Sequence, residues 1–175
     1  MKKLVGLFAL VGTMWFGSQA SAAELQPGDP APDFTLVGTD GKTYKLSDFK
    51  GKSAVVVAWF PRADTPGCTA ECKNITAEQS KLQAFNVAYF TASVDDVTAN
   101  KAFSDKFSFN FPILSDPTKK TATDYGVLGA KGTATRWTFY IGKDGKILFV
   151  DKGVKTATHG ADIATKLAEL GVEKK

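Results

Sequence analysis

The two cysteines of this chain, Cys68 and Cys72, stand four residues apart directly behind a Thr65-Pro66-Gly67 turn. The turn follows the apolar run 54–60, Ala-Val-Val-Val-Ala-Trp-Phe, which reads as a buried strand. Pro66 and Gly67 break that run, and residues 69–83 carry a helical pattern, so Cys68 falls in or beside the first helical turn. Backbone N–H groups at that end lack intrahelical partners, and the helix dipole presents its positive end there; both favour an anion. A thiolate, the nucleophilic form of cysteine, is therefore favoured at Cys68. A free cysteine is commonly just a small buried apolar residue. Two of them at this spacing, at a helix mouth fed by a strand, point instead to nucleophilic or redox chemistry.

Pro61, Thr65 and Cys68 together spell Pro-x-x-x-Thr-x-x-Cys, and at these residues the chain resembles the peroxiredoxins, specifically the thiol peroxidases of the bacterioferritin-comigratory (PrxQ-like) group. The resemblance implies that Cys68 is the peroxidatic residue that attacks the O–O bond, that the Thr65 hydroxyl orients the peroxide, and that Pro61 shields the site. A fourth element of the pattern, an arginine ahead of a late strand, is matched by Arg136 in Arg136-Trp137-Thr138-Phe139. Glu71 falls where the family often has an acidic residue, and Gly67 has a secondary place beside Cys68. Matches continue through 88–95 and 111–117, so the resemblance covers about 25–170. It implies hydrogen peroxide or an alkyl hydroperoxide as substrate, a thioredoxin-like or small-thiol reductant, and a monomer. The implied cycle needs no cofactor: no metal, haem or flavin.

The chemistry asks for the same groups on its own terms. A peroxide needs a deprotonated thiol, a donor holding the attacked oxygen in line, and positive charge for the departing oxygen. Cys68, Thr65 and Arg136 are of the right types, although Arg136 reaches the site only through folding.

In the PrxQ-like group the second cysteine follows the first by five positions, whereas Cys72 follows Cys68 by four. Side chains four apart on a helix have Cβ atoms roughly 5–6 Å apart, and a disulfide needs about 3.5–4.5 Å. Bonding therefore requires the first turn to unwind. Members with the longer spacing face a similar requirement, so the resemblance still implies Cys72 as the resolving thiol despite the departure, with a one-Cys cycle or a packed spectator role as the alternatives.

Two other functions compete. Cys68, Cys72 and the single histidine, His159, could form the thiolate–imidazole set of an exported copper chaperone on a thioredoxin-like domain. His159, among Thr156, Thr158 and Gly160, reads more simply as a surface residue beside a helix cap. A thiol–disulfide oxidoreductase would ordinarily carry Cys-x-x-Cys, which this chain lacks.

The elements that must position these residues alternate along the chain. Residues 33–37 and 43–46 flank Asp40-Gly41 as a hairpin. Strand 54–60, helix 68–85, strand 87–94 and helix 97–107 follow, then extended chain at 112–114 and a short helix at 119–125. Residues 136–141 and 146–151 flank Asp144-Gly145 as a second hairpin, and 161–170 closes as a helix. This order gives an α/β fold, thioredoxin-like in its peroxiredoxin variant: a central mixed sheet flanked by helices on both faces, with an N-terminal hairpin extension. Gly126, Gly129 and Gly132 read as a flexible loop bringing Arg136 to the site and not as a phosphate cradle, since no Lys-Ser/Thr follows. Asn74-Ile75-Thr76 fits a glycosylation sequon but lies on a predicted helix.

Met1-Lys2-Lys3, the apolar stretch 4–16 and Ala20-Ser21-Ala22 form a secretory signal pattern, cleaved after Ala22 or Ala23. The division is then 1–22 signal peptide and 23–175 a single domain, exported and periplasmic, with no membrane attachment after cleavage. Without Lys2 and Lys3 the formal charge falls from +4 to +2. Basic residues are scattered, so no nucleic-acid partner is expected.

Overall fold

The computed structural model describes residues 24–175; the signal-peptide pattern lies outside the described residues. Its centre is a seven-stranded sheet. The strands are β1 (Thr35–Gly38), β2 (Thr43–Lys45), β3 (Ala54–Trp59), β4 (Val87–Ser93), β5 (Ile113–Ser115), β6 (Thr138–Ile141) and β7 (Ile147–Asp151). They lie in the order β2-β1-β5-β4-β3-β6-β7, with β3, β4 and β5 paired in parallel and every other pairing antiparallel. All six residues of β3 are buried. An uninterrupted apolar run is what a strand covered on both faces requires.

Alternation along β3 divides the core into two layers. Val55, Val57 and Trp59 join Phe139 and Ile141 of β6, packed with Leu46, Ala122 and Tyr125. Leu46 comes from a 3-10 turn (Leu46–Phe49), and Ala122 from helix α4 (Lys120–Asp124). Val56 and Phe60 face the other way, onto Ile75, Phe103, Ile163 and Leu167. Those four residues come from α1 (Pro66–Ala77), α3 (Val97–Phe107) and α5 (His159–Glu169). Full burial of each such side chain contributes roughly 1.5–3 kcal/mol.

The element order and the flanked mixed sheet agree with the sequence reading, with three local differences. The helix expected over 68–85 divides into α1 and α2 (Gln79–Gln83), turning at Glu78 (φ −95°, ψ 10°). No Pro or Gly marks that turn. It falls where α5 crosses closest to α1. The glycine loop is not loose: the Gly129 N–H donates to Thr133 O, the Thr135 N–H donates to Val127 O, and Val127 and Ala134 are buried. The last helix starts at His159, two residues earlier than expected.

The α1–α5 crossing depends on one glycine. A Cβ on Gly160 would stand 2.8 Å from the Asn74 carbonyl oxygen, 2.8 Å from Glu78 Cβ and 2.9 Å from Ile75 Cα. Two of those atoms are backbone and cannot rotate away. The Gly160 N–H donates to Asn74 Oδ1 (2.7 Å), and Asn74 Nδ2 donates to the Ala157 carbonyl (2.8 Å), so both polar ends of the Asn74 amide are engaged at this joint. Alanine normally stabilises a helix interior by about 1 kcal/mol relative to glycine, whereas overpacking costs about 1–3 kcal/mol. Gly160→Ala is expected to lower the urea midpoint; a raised midpoint would show that the helices do not pack this closely.

Candidate active site

Cys68 is the third residue of α1, after Pro66 at the first helical position and Thr65 as N-cap. The Thr65 side chain does not cap the helix. Its hydroxyl donates to the Arg62 carbonyl (3.0 Å), and Gly67 and Cys68 in the first turn keep backbone N–H groups without a capping side chain. With its proton committed to Arg62 O, the Thr65 oxygen presents lone pairs and can accept from the O–H of a bound peroxide. The loop before α1 is pinned from outside. The Ala63 N–H donates to Asp95 Oδ2 (2.8 Å), and Asp64, held at φ 56°, pairs with Lys106 (2.7 Å). Pro61 lies half-buried in this loop.

Arg136 arrives through strand register. Ala58 pairs with Thr138 in the antiparallel β3–β6 ladder, and the Trp59 N–H donates to Trp137 O. Continuing the register sets Arg136 opposite Phe60, where β3 leaves the sheet for α1. Arg136 Nη2 donates to Cys68 Sγ at 3.2 Å, while its Nη1 donates to Glu71 Oε2. A Cβ on Gly67 would sit 3.5 Å from Nη2, so this residue lies alongside the guanidinium. Arg136 keeps 21% of its side chain exposed; Glu71 is fully buried. The guanidinium thus bridges the thiol and a buried carboxylate.

The structure corrects the reading of His159, which is not a surface residue. It is fully buried, with Nδ1 2.8 Å from Glu71 Oε1 and Nε2 2.9 Å from the Thr138 hydroxyl. Burial, together with the nearby Arg136 charge, holds its imidazole down at about 4 against the opposing pull of Asp151 and Asp162. The ring is neutral at physiological pH; in the tautomer that carries its proton on Nδ1, Nε2 accepts from the Thr138 hydroxyl and Nδ1–H lies beside the carboxylate, outside hydrogen-bond geometry. No sequence signal marked this role, because the partners come from α1 and β6, far along the chain. Thr138 was likewise missed as anything beyond a strand residue.

A histidine held at about 4 in the fold, against an ordinary 6.5, binds its proton more readily when the chain unfolds. Its neutral burial therefore adds stability that is complete above 6.5 and is lost as the pH falls towards 4. The gap corresponds to about 3 kcal/mol. Urea denaturation at successive pH values should show wild type losing stability across this window more steeply than His159→Asn; parallel curves would contradict the assignment.

Cys72 is fully buried one turn beyond Cys68, in the layer containing Phe60, Ile75 and Phe103. Burial, and then the nearness of Cys68, push its thiol well above the usual range, with the Thr91 hydroxyl offsetting only part. Both cysteines are free thiols. With α1 intact, Cys72 is a protonated, enclosed group. The copper reading fits poorly, since His159 is fully buried, with Nε2 bonded to Thr138 and Nδ1 facing Glu71 and not the cysteines. Among the described residues, no three His, Cys, Asp or Glu side chains are placed to hold a metal ion.

Cys68 is 1% exposed, so only a small reactant reaches its sulfur. Clefts of about 330 and 340 Å³ are lined elsewhere, by residues such as Leu46 and Phe49 or Leu148 and Leu170. An enclosed thiol under a guanidinium at a helix N-terminus can attack a small electrophile and stabilise the oxygen it expels.

Comparison with known proteins agrees with this chemistry. The model of the AhpC/TSA family matches residues 27–150. Peroxiredoxin Bcp of Escherichia coli K12 is 34% identical over 142 residues, covering 77% of this chain and 90% of that protein. The crystal structure of peroxidoxin BcpB from Mycobacterium tuberculosis superposes with a TM-score of 0.74 at 31% identity, covering 85% of this chain and 97% of that one. A PrxQ of Xylella fastidiosa shares the fold with a TM-score of 0.78 at 22% identity, over 85% of this chain and 99% of its own.

Proposed function

This chain belongs to the AhpC/TSA family and is a thiol peroxidase, and on that footing we propose that Cys68 is its peroxidatic residue, with hydrogen peroxide or an alkyl hydroperoxide as substrate. The observation that carries the assignment is the 3.2 Å hydrogen bond from Arg136 to Cys68 Sγ in the first turn of α1. The thiolate attacks one peroxide oxygen, the O–O bond breaks, and the sulfur becomes a sulfenic acid. The departing oxygen takes a proton and leaves as water or an alcohol. Thr65 and the N–H groups of Gly67 and Cys68 hold the peroxide in line, Arg136 stabilises charge on sulfur and on the departing oxygen, and Pro61 shields the site.

Cys72 then condenses with the sulfenic acid, giving a Cys68–Cys72 disulfide and water, and a thioredoxin-like or small-thiol reductant restores both thiols. Its enclosure in α1 makes this the slow step, because the turn between the cysteines must open first. The protein works as a periplasmic monomer after signal cleavage. That reading is supported by the basic, apolar and small-residue pattern of 1–22 and by the absence of a large exposed apolar surface among the described residues.

Intact mass of the reduced protein before and after one equivalent of hydrogen peroxide, with the rate of peroxide loss, tests the cycle. A rapid loss of about two mass units means the disulfide, and a gain of about sixteen means a persistent sulfenic acid and a one-Cys cycle. Peroxide decay no faster than with an ordinary thiol would end the peroxidase reading.

A further inference from the structure

Among the buried polar groups, one set continues past the reacting atoms without a part in the cycle above. Glu71 has two carboxylate oxygens, and only Oε2 is taken by Arg136. Oε1 lies 2.8 Å from His159 Nδ1, a close approach outside hydrogen-bond geometry, and among the described residues these two buried atoms have no hydrogen-bond partner, so each is the nearest group available to the other. His159 is seated by the Thr138 hydroxyl at Nε2 and by the close α1–α5 crossing at Gly160, one residue further on. A line of contacts therefore runs Thr138, His159, Glu71, Arg136, Cys68, entirely within the protein except at its arginine.

We propose that His159 is a positioning residue for the Cys68 reaction: its Nδ1–H fixes the Glu71 carboxylate, which in turn holds the Arg136 fork with one nitrogen on the carboxylate and the other on the sulfur. The proposal rests on the peroxidase reading and adds a residue that touches neither substrate nor thiol. Its physical basis is competition for the guanidinium. A carboxylate with both oxygens unassigned draws a guanidinium into a bidentate pair, the preferred geometry for these groups. Here that arrangement would take Nη2 away from Cys68. The histidine prevents it by standing against Oε1. A neutral ring suits the task, because an imidazolium would compete with Arg136 for the carboxylate charge. The groups facing His159 are Glu71 from α1, Thr138 from β6, Arg136 just before β6, Asp151 from β7 and Asp162 on its own helix.

The test uses iodoacetamide alkylation of Cys68, followed by peptide mass, which reads thiolate reactivity without any peroxide. Initial peroxide consumption is measured in parallel. His159→Leu fills the site without an N–H and should slow alkylation about tenfold near pH 6, with the gap closing near pH 9 where any thiol ionises. His159→Asn, whose amide nitrogen can stand close to the position of Nδ1, should recover most of the loss. Thr138→Val, which frees Nε2 and barely changes volume, should shift the profile in the same direction by a smaller amount and serves if the leucine variant does not fold. Unchanged or faster alkylation in folded His159→Leu or Thr138→Val overturns the proposal, as does failure of His159→Asn to restore the profile. Slow peroxide loss by wild type alongside shifted alkylation profiles would instead count against the peroxidase reading and leave the positioning role standing.

Discussion

Replacing Cys68 with serine is expected to reduce peroxide consumption to that of protein-free buffer while leaving the protein folded. A serine hydroxyl is not ionised near neutrality, and no thiolate would remain in the first turn of α1. Cys72 cannot substitute. It is fully buried, its thiol is pushed up by that burial, and Arg136 donates to Cys68 and not to it. Cys72→Ser should give the opposite pattern: the first equivalent of peroxide is consumed at close to the wild-type rate, the mass rises by about sixteen, and later turnover depends on an added thiol. Stopped-flow peroxide loss and intact mass, run on both variants, separate the roles. Normal turnover in Cys68→Ser would sink the mechanism, and normal thioredoxin-type turnover in Cys72→Ser would remove Cys72 from the cycle.

How much of this was legible in the sequence follows from the range of the interactions involved. The strand 54–60, the Pro66-Gly67 break and the helix after it are local signals, and they were enough to set Cys68 at a helix N-terminus. The fold followed from the order of such segments. Arg136 was named only through resemblance, because its approach to the thiol depends on the β3–β6 register, and a register is fixed by pairing across 80 residues of chain, from Ala58 to Thr138. Glu71 was placed by the same resemblance, yet its full burial depends on α5 lying over it. His159 was misjudged for that reason. Its neighbours Thr156, Thr158 and Gly160 look like a solvated helix start, and only the Gly160 crossing carries the ring inside. The break at Glu78 had no local mark either; the sequence there has good helix formers, and tertiary packing sets the turn.

Arg136→Ala is expected to damage both activity and stability, and the two losses can be separated. On activity, removing a preformed donor from the sulfur and from the departing oxygen should lower the rate of peroxide reduction about 10²- to 10³-fold. On stability, the change strands Glu71: a fully buried carboxylate loses the one cation bonded to it among the described residues, leaving the neutral His159 ring beside it. Breaking a buried pair from one side typically costs about 3–5 kcal/mol. Neutralising the stranded group should undo that second loss alone. In the double variant Arg136→Ala with Glu71→Gln, the amide is uncharged, nearly the same size, and still has the neutral His159 ring beside it. Urea denaturation should therefore show the double variant recovering most of the stability lost in Arg136→Ala, while its rate with peroxide stays as low as in the single variant. Recovery of rate along with stability would mean that Arg136 serves only to neutralise Glu71, and the contact with Cys68 Sγ would lose its place in the mechanism.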